Sequence, residues 1–140
     1  MINFTIIIDP SPTHQSALRV LKNKQGKMFV GKMANSKATK WKQEFMYKAN
    51  AHKPAKPYDC PLEVTIDFHY AYLKRFTNAQ RKGTFPKTTR PDLDNLEKMV
   101  LDSLTECGFM TDDSLVVKKH SSKMYSDSSK ISIDIKPFVW

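Results

Sequence analysis

Hydrophobic and polar residues alternate most regularly in the middle of the chain, over residues 61–71. Every second residue there is apolar, a pattern that predicts a strand with one apolar and one polar face; the apolar positions are Leu62, Val64, Ile66, Phe68 and Tyr70. An apolar, β-branched run over residues 2–8 predicts an earlier strand, which a Pro-Ser-Pro turn at 10–12 ends. Both stretches are therefore expected to belong to a β-sheet.

The last third of the chain predicts a second pair of strands. Apolar stretches at 115–117 and 123–125 lead to a serine-rich turn at 126–129. Isoleucines then alternate with polar residues from 131 to 135, which is the spacing of a half-buried strand. Residues 13–36 are ambiguous, although a short strand fits 28–30.

One stretch before the central strand has helical spacing. In residues 37–51, Phe45 and Met46 follow Trp41 by about one helical turn, which is helical spacing, and a proline-rich segment at 53–57 ends this helix. Strands and helices in this order predict a small α/β fold with a mixed sheet packed against helices. We expect a single domain over residues 1–140, because this length suits one domain with its own core.

A second helix is predicted to begin near Asp92–Asp94 and to end at Gly108. Its apolar stripe has spacings of three and four and consists of Leu93, Leu96, Val100, Leu104 and Cys107. Asp94 and Glu97 have the spacing of a capping box, in which each side chain bonds the other residue's backbone N–H.

Charge narrows the class of partner. The net charge is +9, and residues 1–58 hold 11 Lys/Arg against two acids, so the whole excess lies there. Such asymmetry indicates a polyanionic partner, and a soluble lysine-rich surface remains an equal alternative. The sequence has no apolar run long enough for a membrane span, no signal peptide and two cysteines, so we expect a cytoplasmic protein without a membrane partner.

The segment 72–90 is basic and contains no acid. Phe76 and Phe85 lie among its cations, and Gly83 and Pro86 oppose regular structure. We predict a flexible arm that binds DNA phosphates, with aromatic rings able to stack on bases. The alternative is a disordered surface insertion. The candidate DNA-binding residues are Lys74, Arg75, Arg81, Lys82, Lys87 and Arg90.

The candidate chemistry follows directly after this arm. Asp92, Asp94 and Lys98 lie at the start of the predicted helix, and Asp113 follows its end by a short turn that we expect to fold back near the helix start. Carboxylates are ligands that Mg²⁺ prefers, and a nearby lysine can stabilise charge on a phosphate in the transition state. Asp94 alone is explained as well by helix capping, so the prediction rests on the group of four in a basic chain.

Three residues are expected to support this site. Asn95 and Asp112 adjoin the candidate ligands, and His69 shares the polar face of the central strand with Asp67. We expect that face to look toward the carboxylates.

The stretch from Pro91 to Ser114 resembles the RusA family of Holliday junction resolvases. The resemblance lies in Pro-Asp-Leu-Asp-Asn-Leu-Glu-Lys at 91–98, Leu-Asp-Ser-Leu at 101–104, Gly108, and Asp-Asp-Ser at 112–114. It implies an α/β homodimer that binds four-way DNA junctions and makes paired nicks with Mg²⁺ or Mn²⁺. The family's metal-binding aspartates fall on Asp92, Asp94 and Asp113, and its essential lysine falls on Lys98. It also implies a phage or prophage origin.

Two other functions remain open at this point. The chain could be a non-catalytic DNA-binding protein that assists recombination, with carboxylates that only cap a helix. It could also be a nuclease that acts on replication forks or flaps.

Overall fold

The computed structural model describes residues 1–10, 17–22, 24–33 and 36–140, and within them seven strands and two α-helices are formed. In chain order these are β1 Ile2–Ile6, β2 Ala17–Lys22, β3 Met28–Met33, α1 Ser36–Ala49, β4 Leu62–Ala71, β5 Phe85–Pro86, α2 Leu93–Cys107, β6 Val116–Ser126 and β7 Lys130–Pro137. The predicted strands at the start, middle and end of the chain, and both predicted helices, are confirmed.

The main sheet is mixed and has the strand order β1-β7-β4-β6-β5. Its central strand β4 is parallel to β6 and antiparallel to β7, and α2 lies in the connection between the two parallel strands. β2 and β3 pair with each other as a separate antiparallel hairpin. The predicted α/β class with a mixed sheet is thus confirmed.

The last two strands correct one expectation. The stretches at 115–117 and 123–125 mostly belong to one long strand, β6, which does not pair with β7. Both strands pair with β4, which lies between them. The turn between β6 and β7 therefore passes the end of β4, where the Tyr72 N–H donates to the Ser126 carbonyl at 3.0 Å.

Both helices pack on the apolar face of the sheet. The apolar residues of β4 are buried in one cluster with Trp41, Phe45 and Ala49 of α1. From α2 the cluster takes Leu96, Val100 and Leu104, as the predicted stripe requires, together with Met99 and Leu101. The burial of these side chains is the main driving force that fixes α2 on the sheet.

Both ends of α2 lie where they were predicted, but the predicted capping box does not form. Gly108 has φ 99°, a left-handed conformation that glycine adopts without strain, and its N–H donates to the Leu104 carbonyl at 3.2 Å. At the other end the capping box is wrong, because the helix begins at Leu93 and Asp92 is its N-cap residue. Glu97 pairs instead with Lys119 of β6.

The polar face of the sheet lies on the opposite side from α1 and α2. His120 and Glu63 are 2.9 Å apart there, and the Ser122 hydroxyl donates to Asp67 at 2.7 Å. The hydrogen bond from His120 is the largest of the effects that lower the pKa of Glu63. Neither α1 nor α2 has the length and apolar content of a membrane-spanning segment, and the same holds for any helix in the described ranges.

Candidate functional site

The start of α2 presents two carboxylates and one ammonium to solvent. Asp92 is exposed at the N-cap with φ −70° and ψ 143°, and its side chain forms no capping hydrogen bond. Asp94 is exposed in the first turn, and Lys98 is exposed one turn later. Across the described ranges, none of the three forms an ion pair. The positive end of the helix dipole favours carboxylates at this position.

The second part of the site is the turn before β6. The Asp112 carboxylate accepts the Ser114 N–H at 2.8 Å, and this bond is the first of the hydrogen bonds that lower the pKa of Asp112. Burial raises the pKa of Asp113, and the carboxylates of Asp112 and Asp102 raise it further. Asp113 thus lies among negative charges that disfavour its ionised form.

Asp113 lies in a cleft between α2 and the start of β6. It lines a cleft of about 220 Å³ with Leu101 and the start of β6, and the Asp102 charge acts on it. Both of these α2 residues lie in the second half of the helix. The turn therefore folds back beside α2 at Leu101 and Asp102.

Two lysines in this cleft were not predicted from the sequence. Lys118 and Lys119 line it together with Asp113, and Lys119 also pairs with Glu97. The feature of the sequence that could have indicated them is the Lys-Lys pair at 118–119, which follows Asp113 after Ser-Leu-Val-Val. The intervening residues have the pattern of a strand, so the pair is not recognisable from the sequence as part of a site.

The carboxylate oxygens suit a hard divalent cation, although they do not form a ready-made metal site in the described residues. Over the described part of the chain, no three His, Cys, Asp or Glu side chains are close enough together to hold a metal ion. Asp92 and Asp94 nevertheless offer exposed oxygens that form no ion pair with any described residue, and Mg²⁺ is usually held by one or two carboxylates plus water and phosphate. A divalent cation would also relieve the repulsion around Asp113.

The basic segment 72–90 packs against the sheet through aromatic rings. Phe76 lies edge-on to Tyr125 at 5.0 Å between ring centroids and is 5.4 Å from Phe85. Phe85 in turn is 6.1 Å from Tyr72. The segment therefore has an anchored base, while the flexibility of the arm beyond it stays a prediction.

Two of the six cations of the segment 72–90 form hydrogen bonds with other residues of the chain. The Arg81 guanidinium donates to the carbonyls of Leu73, Lys74 and Phe76 at 3.1–3.2 Å. The Lys87 ammonium bonds Thr89 at 2.7 Å and the Tyr125 hydroxyl at 3.3 Å, and it lies over the rings of Tyr70 and Tyr125.

The contacts of Lys87 also affect Tyr125. Burial raises the pKa of Tyr125, but hydrogen bonds from Thr89 and Lys87 outweigh it and bring the pKa below its usual value. The remaining cations of the segment are exposed, namely Lys74, Arg75, Lys82 and Arg90.

Most of this chain matches a known protein family. The model of the family described as Endodeoxyribonuclease RusA matches residues 8–136. The chain belongs to the RusA family. The resemblance in the segment 91–114 is thereby confirmed over almost the whole sequence.

Two relatives of this RusA-family chain cover most of its length. One is the crossover junction endodeoxyribonuclease rusA of Lactococcus phage r1t, which is 30% identical over 137 residues and aligns with 94% of this chain and 95% of its own length. The other is the uncharacterized protein YqaN of Bacillus subtilis strain 168, which is 29% identical over 119 residues, or 81% of this chain and 82% of its own.

The predicted supporting residues of this RusA chain lie in different places. Asn95 is half-buried in the first turn of α2, next to Asp94. His69 lies on the polar face of β4, across the sheet from α2, so that face does not look toward the helix carboxylates as expected. Its buried Nδ1 has no hydrogen-bond partner among the described residues, and burial lowers the pKa of His69.

Proposed function

We propose that this chain is a metal-dependent endonuclease that resolves Holliday junctions. The observation that carries the proposal is the exposed group Asp92, Asp94 and Lys98 at the start of α2, without ion pairs in the described part of a RusA-family chain. The phage relative named as a crossover junction endodeoxyribonuclease supports the choice of substrate, since the match spans 94% of this chain.

Each residue of the site would have a distinct task. Asp92, Asp94 and Asp113 would hold Mg²⁺, or Mn²⁺ in its place. When bound, such a cation supplies a Lewis acid and an acidified water for attack on phosphorus. The Lys98 ammonium would stabilise the charge that develops on the phosphate oxygens, because its positive charge is not neutralised by an ion-pair partner in the described ranges.

DNA binding would use the cations that surround this group. Exposed Lys74, Lys82 and Arg90 lie in the segment that leads into Asp92, and Lys118 lines the cleft beside Asp113. Contacts of this kind bind phosphates without reading sequence and weaken as salt rises. Two strands must be nicked to resolve a junction, so we further propose a homodimer with one site per subunit, acting in a bacterial cytoplasm during phage DNA processing.

A synthetic four-way junction incubated with Mg²⁺ or with EDTA tests the proposal. We expect paired nicks with Mg²⁺ and binding without nicks in EDTA. Asp94→Asn should keep binding and lose cleavage by about 100-fold or more, since it removes a charged ligand. The matched control is Asp127→Asn, an exposed carboxylate in the turn before β7, which should cut normally. Normal cutting by Asp94→Asn would refute the site assignment.

The same assay separates the alternatives. Fork, flap and plain duplex substrates measured beside the junction would identify a nuclease with a different substrate. Junction binding with no metal-dependent nick in any substrate would favour a recombination-accessory protein.

A further inference from the structure

Strand β6 holds the chain that leads into Asp92. β5 pairs with the end of β6, with Phe85 opposite Tyr125 and Pro86 opposite Met124. The Lys87 N–H then donates to the Lys123 carbonyl at 3.0 Å. Beyond this point no residue of the segment belongs to a strand until α2 begins, so other bonds must fix its path.

The side chain of Lys123 supplies those bonds. Its ammonium donates to the carbonyl of Thr89 at 2.7 Å and to the carbonyl of Pro91 at 2.7 Å. Hydrogen bonds from an ionised donor are roughly twice as strong as neutral ones. Lys123 therefore binds the segment 87–91 through both its backbone and its side chain.

The location of Lys123 suits this task. It lies opposite the buried Phe68 in the pairing of β4 with β6, so its side chain projects to the sheet face that α2 covers, and it is half-buried. The helix does not use the Pro91 carbonyl, since the first intrahelical bond runs from the Leu96 N–H to the Asp92 carbonyl at 3.2 Å. Without the ammonium, two carbonyls would lose their partner.

Asp92 depends on this arrangement more than its neighbours do. It follows Pro91 directly and has an extended backbone, and its side chain makes no capping bond that would orient it. Asp94, in contrast, is placed by the helix itself. The direction of the Asp92 carboxylate is therefore set by the backbone that Lys123 holds.

We propose that Lys123 is a positioning residue that orients Asp92 for cation binding through the carbonyls of Thr89 and Pro91. This inference rests on the proposed function, in which Asp92 is a ligand. Lys123 does not contact DNA in this scheme. Its loss should weaken cation binding and slow the chemical step, while the affinity for the junction stays the same.

Lys123→Met and Lys123→Arg test this role against the wild type. Mn²⁺ binding is measured without DNA by the spin-resonance signal of the free ion, and cleavage is measured at saturating junction. We expect Lys123→Met to lose about tenfold or more in Mn²⁺ affinity and in kcat, the usual range for residues that orient a ligand, with KM and junction affinity in EDTA within about twofold. Lys123→Arg should recover most of both losses, because it keeps the charged donor.

Lys42→Met is the matched control. Lys42 also ties α2 to a neighbouring element, through an ion pair with Glu106 near the other end of the helix. We expect it to change Mn²⁺ affinity and kcat by less than about twofold. Thermal unfolding of each variant checks the fold. If Lys123→Met does not fold, Lys123→Gln takes its place, since a neutral amide retains a donor for one carbonyl.

The outcomes separate this inference from the proposed function. Wild-type Mn²⁺ affinity and kcat in the folded Lys123 variant would overturn the inference. So would a loss of junction affinity in EDTA as large as the loss in kcat, because that pattern belongs to a phosphate contact. A wild-type protein that binds Mn²⁺ but cuts no junction would instead overturn the proposed function.

Discussion

Phe76 anchors the base of the basic segment 72–90, and Phe76→Ala should release it. Its ring packs edge-on against Tyr125 at 5.0 Å and against Phe85 at 5.4 Å. An aromatic pair contributes about 0.5–1.5 kcal/mol beyond the area that it buries, so the loss of two pairs costs about 1–3 kcal/mol. The cost falls mainly on the ordering of the segment, because Phe76 lies within it and its contact with Tyr125 attaches it to β6.

Hydrogen exchange of the Gln80 and Arg81 amides measures this opening. Both N–H groups donate to the Thr77 carbonyl, at 3.0 and 3.1 Å, so they exchange only when the turn opens. Since each 1.4 kcal/mol is a factor of ten, about 1–3 kcal/mol predicts exchange that is about 5- to 150-fold faster. The melting temperature of the whole protein should change less than the exchange does, because Phe76 is only half-buried and packs against the core cluster from outside it.

Phe138→Ala is the control for this experiment. Phe138 stacks on Trp140 at 6.2 Å at the end of β7, next to Pro61, and should leave the exchange of both amides unchanged. Unchanged exchange in Phe76→Ala would refute the reasoning. In that case the three carbonyl bonds of Arg81, and not the ring packing, hold the turn closed.

Three further predictions follow from burial and charge. Lys74→Gln combined with Lys82→Gln should reduce the slope of log K for junction binding against log salt by about two at most, and an unchanged slope would show that neither lysine meets a phosphate. Leu104→Ala removes a fully buried side chain and should cost about 2–5 kcal/mol in urea unfolding, so a loss well below this would contradict its place in the core. Burial holds the pKa of His69 below its ordinary 6.5, so the unfolded chain takes up the proton before the folded chain does. The stability of the protein should therefore fall as pH drops from about 7.5 to about 5. His69→Gln should lose less stability over that range, as measured by melting temperature.

The elements with a clear period were predictable because one face of each is buried. The alternation in β4 and the stripe of α2 record burial directly, since polar residues at those positions would lose hydration without a partner. The middle of β6 shows no such alternation of apolar and polar residues. Its helix-facing Lys119 and Lys123 are polar, and they are tolerated there because Glu97 and two backbone carbonyls satisfy their charges. A pattern of apolar residues cannot reveal a strand whose inner face is held by an ion pair and by hydrogen bonds from a lysine.

The site was predictable where one helix builds it. Asp94 and Lys98 are four residues apart, so helical geometry alone places them on one surface. The position of Asp113 depends on the turn after Gly108 and on where β6 begins, which are tertiary features. The pairing order of β6 and β7 has the same cause: a short turn suggests a hairpin, but both strands pair with β4, which lies between them.

The distribution of ion pairs along α2 fits the proposed metal site. Glu97 and Glu106 are paired with lysines of β6 and α1, as acids on a packed helix are expected to be. Asp92, Asp94, Lys98 and Asp102 have no ion pair in the described ranges, although the chain carries 23 Lys/Arg against 14 Asp/Glu. If these carboxylates served only to stabilise the helix, a neighbouring lysine could neutralise them without loss. Carboxylates that must bind a cation and admit a phosphate have to stay unpaired, because an ion pair would compete with the ligand.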